Sequence, residues 1–134
     1  MKKLDNFLSC LKVLEKADFT QADEDAIYRT GIVAQFNLTF ELAWKALQQV
    51  LRLHGVSEAE TGSPREILQL GYKVGFVDNA PVWLLMLKKR NRSVHMYDED
   101  EIDELILLIK DTFLPAFAAL GRTLEEKMKE IKEE

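Results

Sequence analysis

Leu4, Phe7, Leu8, Leu11 and Leu14 recur at intervals of three and four residues, the rhythm of one apolar helical face. That helix is predicted to end near KADFTQAD, where Thr20 and Asp23 offer caps for the next. The second helix is long, from about Asp25 to Leu53, and closes at Gly55, a residue suited to the turn after a helix. Val33, Phe36, Phe40, Ala43, Leu47 and Val50 make its core stripe, and Leu38, Leu42 and Ala46 a second ridge beside it. Asn37, Glu41 and Lys45 run between the ridges, with Glu41 preceding Lys45 in the order that favours an ion pair. So much apolar girth exceeds what one antiparallel neighbour covers. This helix is therefore expected mid-bundle and against a second subunit.

VSEAETGSPRE is the one clear loop. Its Ser63, Pro64 and Glu66 combine an N-cap, a proline at the first helical position and a capping-box glutamate. A short helix follows to about Lys73 and breaks around GYKVGFVDN. Asp78 or Asn79 then caps a helix starting near Pro81 that carries Trp83, Leu84 and Leu87. After YDED, whose acids suit a helix start, Ile102, Leu105, Ile106, Ile109 and Phe113 stripe another long helix. Pro115 is expected to kink it, and residues 122–134 continue as a charged helical tail. The sum is an all-α fold, an antiparallel up-down four-helix bundle with an interrupted third helix, in a single domain spanning 1–134.

Composition narrows the function. A net charge of −5 argues against a broad nucleic-acid surface, so any polyanion contact must be a local basic patch. Cys10 is the sole cysteine and is expected as an inert core thiol. With only His54 and His95 beside it, no metal site is expected, and no cofactor. MKKLDNFLSC lacks the long apolar core of a secretion signal. PVWLLML and LILLI are far short of a membrane span, so a cytoplasmic protein is expected.

The local basic patch is KKRNRSVHMYDED, residues 88–100. Helix-end electrostatics accounts for Lys88, Lys89, Arg90 and Arg92, since cations complement the negative end of the macrodipole. It does not account for Arg90, Asn91, His95 and Tyr97 at this spacing. On an unbroken helix Arg90 and His95 would point about 140° apart. They converge only if the helix stops between them or a symmetry mate supplies one of them. Asn91, which tolerates left-handed backbone, is the expected stop, with an extended chain then setting His95 and Tyr97 on one side. A guanidinium fork grips a phosphodiester, and an imidazole titrating near neutrality moves protons. Together they could cleave RNA through its own 2′-oxygen without a metal.

RNRSVHMY resembles the Arg-x4-His-x-Tyr motif of the HEPN superfamily, in its HepT-like branch. YRTGIVAQFNLTFELAWKALQQVL, SPREILQLGYKVGFVDN and FLPAFAAL resemble the nucleotidyltransferase substrate-binding proteins of that superfamily, so the similarity runs through nearly the whole chain. The resemblance implies a homodimeric four-helix bundle whose partner is a separate minimal nucleotidyltransferase acting as antitoxin. It implies a metal-independent endoribonuclease toxin with its cleft at the dimer interface. Arg90 would hold the scissile phosphate of the RNA, His95 would do acid–base work and Asn91 would support them. Lys88, Lys89 and Arg92 would rim the RNA. Tyr97 would be the tyrosine that the partner modifies with AMP. Two other readings stay open: a non-catalytic subunit binding substrate or nucleotide for that transferase, and a helical scaffold with a merely structural basic knot. TGSPRE has a Gly-Ser pair, but no Asp-x-Asp pair follows at a spacing suited to a nucleotidyltransferase, and SPRE reads as a helix cap and DED as a helix start.

Overall fold

The computed structural model describes residues 1–96 and 98–133. Four antiparallel rods make an all-helical bundle. The first is α1 (Lys2–Glu15), followed by a short α2 (Phe19–Glu24), and the second is α3 (Ala26–Leu53). A 3-10 turn (Ser57–Glu60) leads into α4 (Pro64–Lys73), and after a break at residues 74–79 the chain turns back alongside it as the third rod, α5 (Ala80–Ser93). The fourth is α6 (Glu99–Leu108), a π turn (Ile109–Phe113) and α7 (Leu114–Glu133). Among the described residues, no helix is long and apolar enough to cross a membrane.

α3 is central and touches every other helix, as its wide apolar girth predicts. Both stripes are not equally covered, however. Phe36, Phe40, Ala43, Leu47 and Val50 are buried, whereas Leu38 on the second ridge remains 48% exposed. The core is tied together by aromatic rings from all four rods. Phe36 stacks on Phe113 at 5.3 Å, Phe7 meets Phe117 edge-on at 6.2 Å, and Trp83 meets Phe117 at 5.5 Å. Trp83 is core, as its spacing implies, while Trp44 is half-buried and donates its indole N–H to Glu41 at 3.2 Å.

Local signals explain most boundaries. Ser63 and Glu66 close a full capping box at the start of α4, with Pro64 at its first position. The Asn79 side chain accepts from Val82 N–H and starts α5. Gly55 stands at φ +80°, the left-handed backbone that ends α3. The caps expected at Thr20 and Asp23 are instead Asp18 and Asp25, because a six-residue helix occupies the supposed linker. Asp18 accepts from Thr20 N–H, and Asp25 from Ile27 and Tyr28 N–H. Cys10 is only partly buried.

The irregularity expected at Pro115 appears as the π turn just before it. Leu114 N–H bonds to Ile109 C=O, five residues back. Proline has no N–H for a helical bond, and its ring would crowd the carbonyl four residues earlier; a widened turn accommodates both. His54, at the end of α3, places Nε2 2.8 Å from the Lys127 carbonyl in α7, so that nitrogen carries the proton and donates. It ties α3 to α7.

Candidate functional site

The polar residues of the central face of α3 meet the end of α5. α5 does not stop at Asn91. It runs on to Ser93, and no described non-glycine residue has a positive φ, so Asn91 is helical and the left-handed stop expected there does not occur. The reason is a side-chain relay across the two helices. Asn37 Nδ2 donates to Ser93 Oγ at 2.9 Å, and Ser93 Oγ–H donates to the Arg90 carbonyl at 2.8 Å, holding the last turn closed. Val94 then ends the helix in ordinary right-handed conformation. His95 N–H and Met96 N–H bond back to Arg92 and Ser93 carbonyls, so the chain turns here and is not extended. Met96 is buried and His95 exposed.

The helix therefore does end between Arg90 and His95, two residues later than expected. Within one chain the structure does not bring the pair together by any hydrogen bond. Tyr97 lies outside the described residues.

Arg90 is the best-held cation of the knot. One guanidinium nitrogen donates to Glu41 and the other to Asn91 Oδ1 at 3.1 Å, while the group lies over the Phe40 ring at 5.5 Å. Two of its five N–H groups are thus used, and three remain for a ligand. Asn91 accepts this bond from within the helix. Glu41 itself accepts from Trp44 and pairs with Lys45 at 3.2 Å. Burial pushes its carboxyl up, but hydrogen bonds from Trp44 and Lys45, with the charges of Arg90 and Lys45, outweigh that and hold it below its ordinary value. Glu41 and Phe40 are the site residues that a motif search at residues 88–100 misses. The one signal for Glu41 is its place on the polar line between two apolar ridges.

The expected rim divides. Lys89 pairs with Glu104 at 3.3 Å, and Arg92 makes a two-pronged pair with Glu101 at 3.0 and 3.2 Å. The Glu101 hydrogen bond raises the Arg92 pKa, and the same bond lowers that of Glu101. Arg29 likewise pairs with Glu99 and Asp103. These cations fasten the acidic start of α6 to the bundle. Lys88 alone of the rim has no ion pair among the described residues. The arrangement offers one prepared guanidinium for an anion, with Lys88 two positions before it in the helix and His95 in the turn beyond.

Residues 2–126 match the family described as nucleotidyltransferase substrate binding protein like. Among solved structures, a Haemophilus influenzae protein superposes with a TM-score of 0.78 at 19% identity, covering 91% of this chain and 98% of its own. It is described as revealing the fold of a substrate binding domain of a nucleotidyltransferase. A Thermus thermophilus protein superposes with a TM-score of 0.66 at 27% identity, covering 93% of this chain and 98% of its own. No curated protein matches the chain by sequence.

Proposed function

The chain belongs to the nucleotidyltransferase substrate binding protein-like family, and from that premise we propose that it is the non-catalytic substrate-binding subunit of a separately encoded nucleotidyltransferase. Its role is to hold an anionic, phosphate-bearing substrate at Arg90. One observation carries this reading: the guanidinium is fixed by Glu41, Asn91 and Phe40 yet keeps three N–H donors unspent. A group oriented in advance loses less freedom when it grips a phosphate. A second copy of the chain completes the picture. Ile27, Ala34 and Leu38 form an uncovered apolar strip along α3, with Ile27 84% exposed, beside the polar line that carries Glu41. The test is binding of ATP and of a short RNA to wild type and to Arg90→Ala, with a co-expressed partner transferase. Arg90→Ala is expected to lose the anion while still copurifying with the enzyme. Unchanged binding by Arg90→Ala would refute the assignment.

The endoribonuclease toxin reading has its own favouring observation: the helix ends between Arg90 and His95, and His95 is exposed. Here a dimer would bring His95 to Arg90 to cleave RNA, and the partner enzyme would silence the site by adding AMP to Tyr97. Its test is RNA cleavage in EDTA by wild type and His95→Ala. Activity lost in the mutant supports it, and equal cutting or none refutes it.

A further inference from the structure

We propose that the groove between α4 and α5 is a nucleotide subsite, holding the base on Pro81, Leu84 and Leu85 and the phosphate at Arg65 and Lys88. This rests on the substrate-binding reading above and adds to it where the organic part of the substrate lies. The groove is shallow and open to solvent, with about 480 Å³ of space. Its lining contains no carboxylate, on a chain with 23 acidic residues. Three cations of the knot are neutralised by Glu41, Glu101 and Glu104, but Lys88 and Arg65, which line this groove, have no ion pair among the described residues.

Position adds a second argument. Arg65 is the second residue of α4, where the helix dipole disfavours a cation and favours an anion. A bound phosphate would reverse that cost. α4 and α5 form a hairpin joined by residues 74–79, so the start of α4 lies toward the end of α5. The cations and Asn91 therefore gather at one end of the groove, and Pro81 and Leu84 lie toward the other. Pro81 to Asn91 spans about 15 Å of helix, room for a phosphate at one end and a planar apolar group along the rest. Asn91 joins the two sites, lining the groove while its Oδ1 accepts from Arg90.

AMP, adenosine and inorganic phosphate are titrated into the full chain by calorimetry and by amide chemical shift, using wild type, Arg65→Ser/Lys88→Ser, Leu84→Asp and Arg90→Ala. AMP should bind more tightly than adenosine or phosphate and shift amides of α4 and α5. The double variant should weaken AMP by about tenfold or more, and Leu84→Asp should remove adenosine binding as well. Leu84 is only partly buried, so circular dichroism should show that variant folded. Wild-type AMP affinity in both groove variants, with loss in Arg90→Ala, would overturn the groove and leave the substrate-binding reading standing. Absence of AMP binding to wild type would overturn the groove. So would a wild-type dimer that Leu84→Asp turns into a monomer, since a second copy would then fill it. The broader reading fails separately, if Arg90→Ala leaves ATP and RNA binding intact.

Discussion

Replacing Glu41 by Gln and Arg90 by Met, singly and together, measures how firmly the carboxylate holds the guanidinium. The side chains are 34% and 28% exposed, so the pair lies between a surface salt bridge and a buried one. An exposed pair is worth about 0.2–1 kcal/mol, and a charge-assisted bond away from water about 1.5–3 kcal/mol. Glu41 keeps Lys45 and Trp44 as partners when Arg90 is gone, which lowers the expected value. We expect a coupling energy of about 1 kcal/mol at pH 7. Urea unfolding of the four proteins gives it directly, and in heat it corresponds to roughly 4 °C. Its pH dependence follows from the depressed carboxyl of Glu41. A carboxyl lowered on folding contributes fully above its unfolded value, near the ordinary 4.5, and loses that contribution as pH falls through the folded value. The coupling should therefore be intact at pH 6 and vanish in strong acid. A coupling below about 0.3 kcal/mol at pH 7, within the error of additivity, would refute the idea that Glu41 orients Arg90.

Ser63→Ala should cost about 1 kcal/mol in urea unfolding by opening the capping box of α4. Gly71→Ala should destabilise despite the better helix propensity of alanine, by about 1–2 kcal/mol, because its methyl would stand 2.9 Å from Val77 Cγ2 and 3.0 Å from Leu47 Cδ2. A neutral or positive change in Tm would show that those side chains yield freely. Phe36→Ala should cost about 3–5 kcal/mol, since its fully buried ring contacts Phe113 and Phe117. A loss under about 0.5 kcal/mol, the usual size of a surface effect, would mean that the aromatic core refills the space.

The rods were legible because apolar period and caps agree. Ser63-Pro64-Arg65-Glu66 marked the start of α4, and the stripe from Ile102 to Phe113 proved buried or half-buried. α2 was not legible, because six residues with one buried alanine carry too little periodicity to be seen. At the site, the sequence singled out the segment that carries Arg90, but it assigned the wrong backbone to Asn91. Local preference favours that residue as a stop; the contact of Asn37 with Ser93, fifty-six positions apart, overrides it. Long-range pairing also decided the fate of the charges. Lys89 and Arg92 look free beside an acidic run, and only the fold shows that α6 turns those acids back onto them.

The widened turn at Ile109–Phe113 sets the phase of everything after it. In a regular α-helix each step of four residues swings the azimuth by about 40°. Ile109, Phe113 and Phe117 are spaced by four twice and would drift apart, yet all three are buried. The slack of one wide turn cancels much of that drift and lets Phe113 and Phe117 both face Phe36. Removing a single residue from the wide turn would close it to a regular one and leave α7 in phase. Removing one just beyond it, from residues 116–119, would instead carry Leu120 and Leu124 round by about 100° and pull the Lys127 carbonyl from His54, while every residue near Arg90 stayed unchanged.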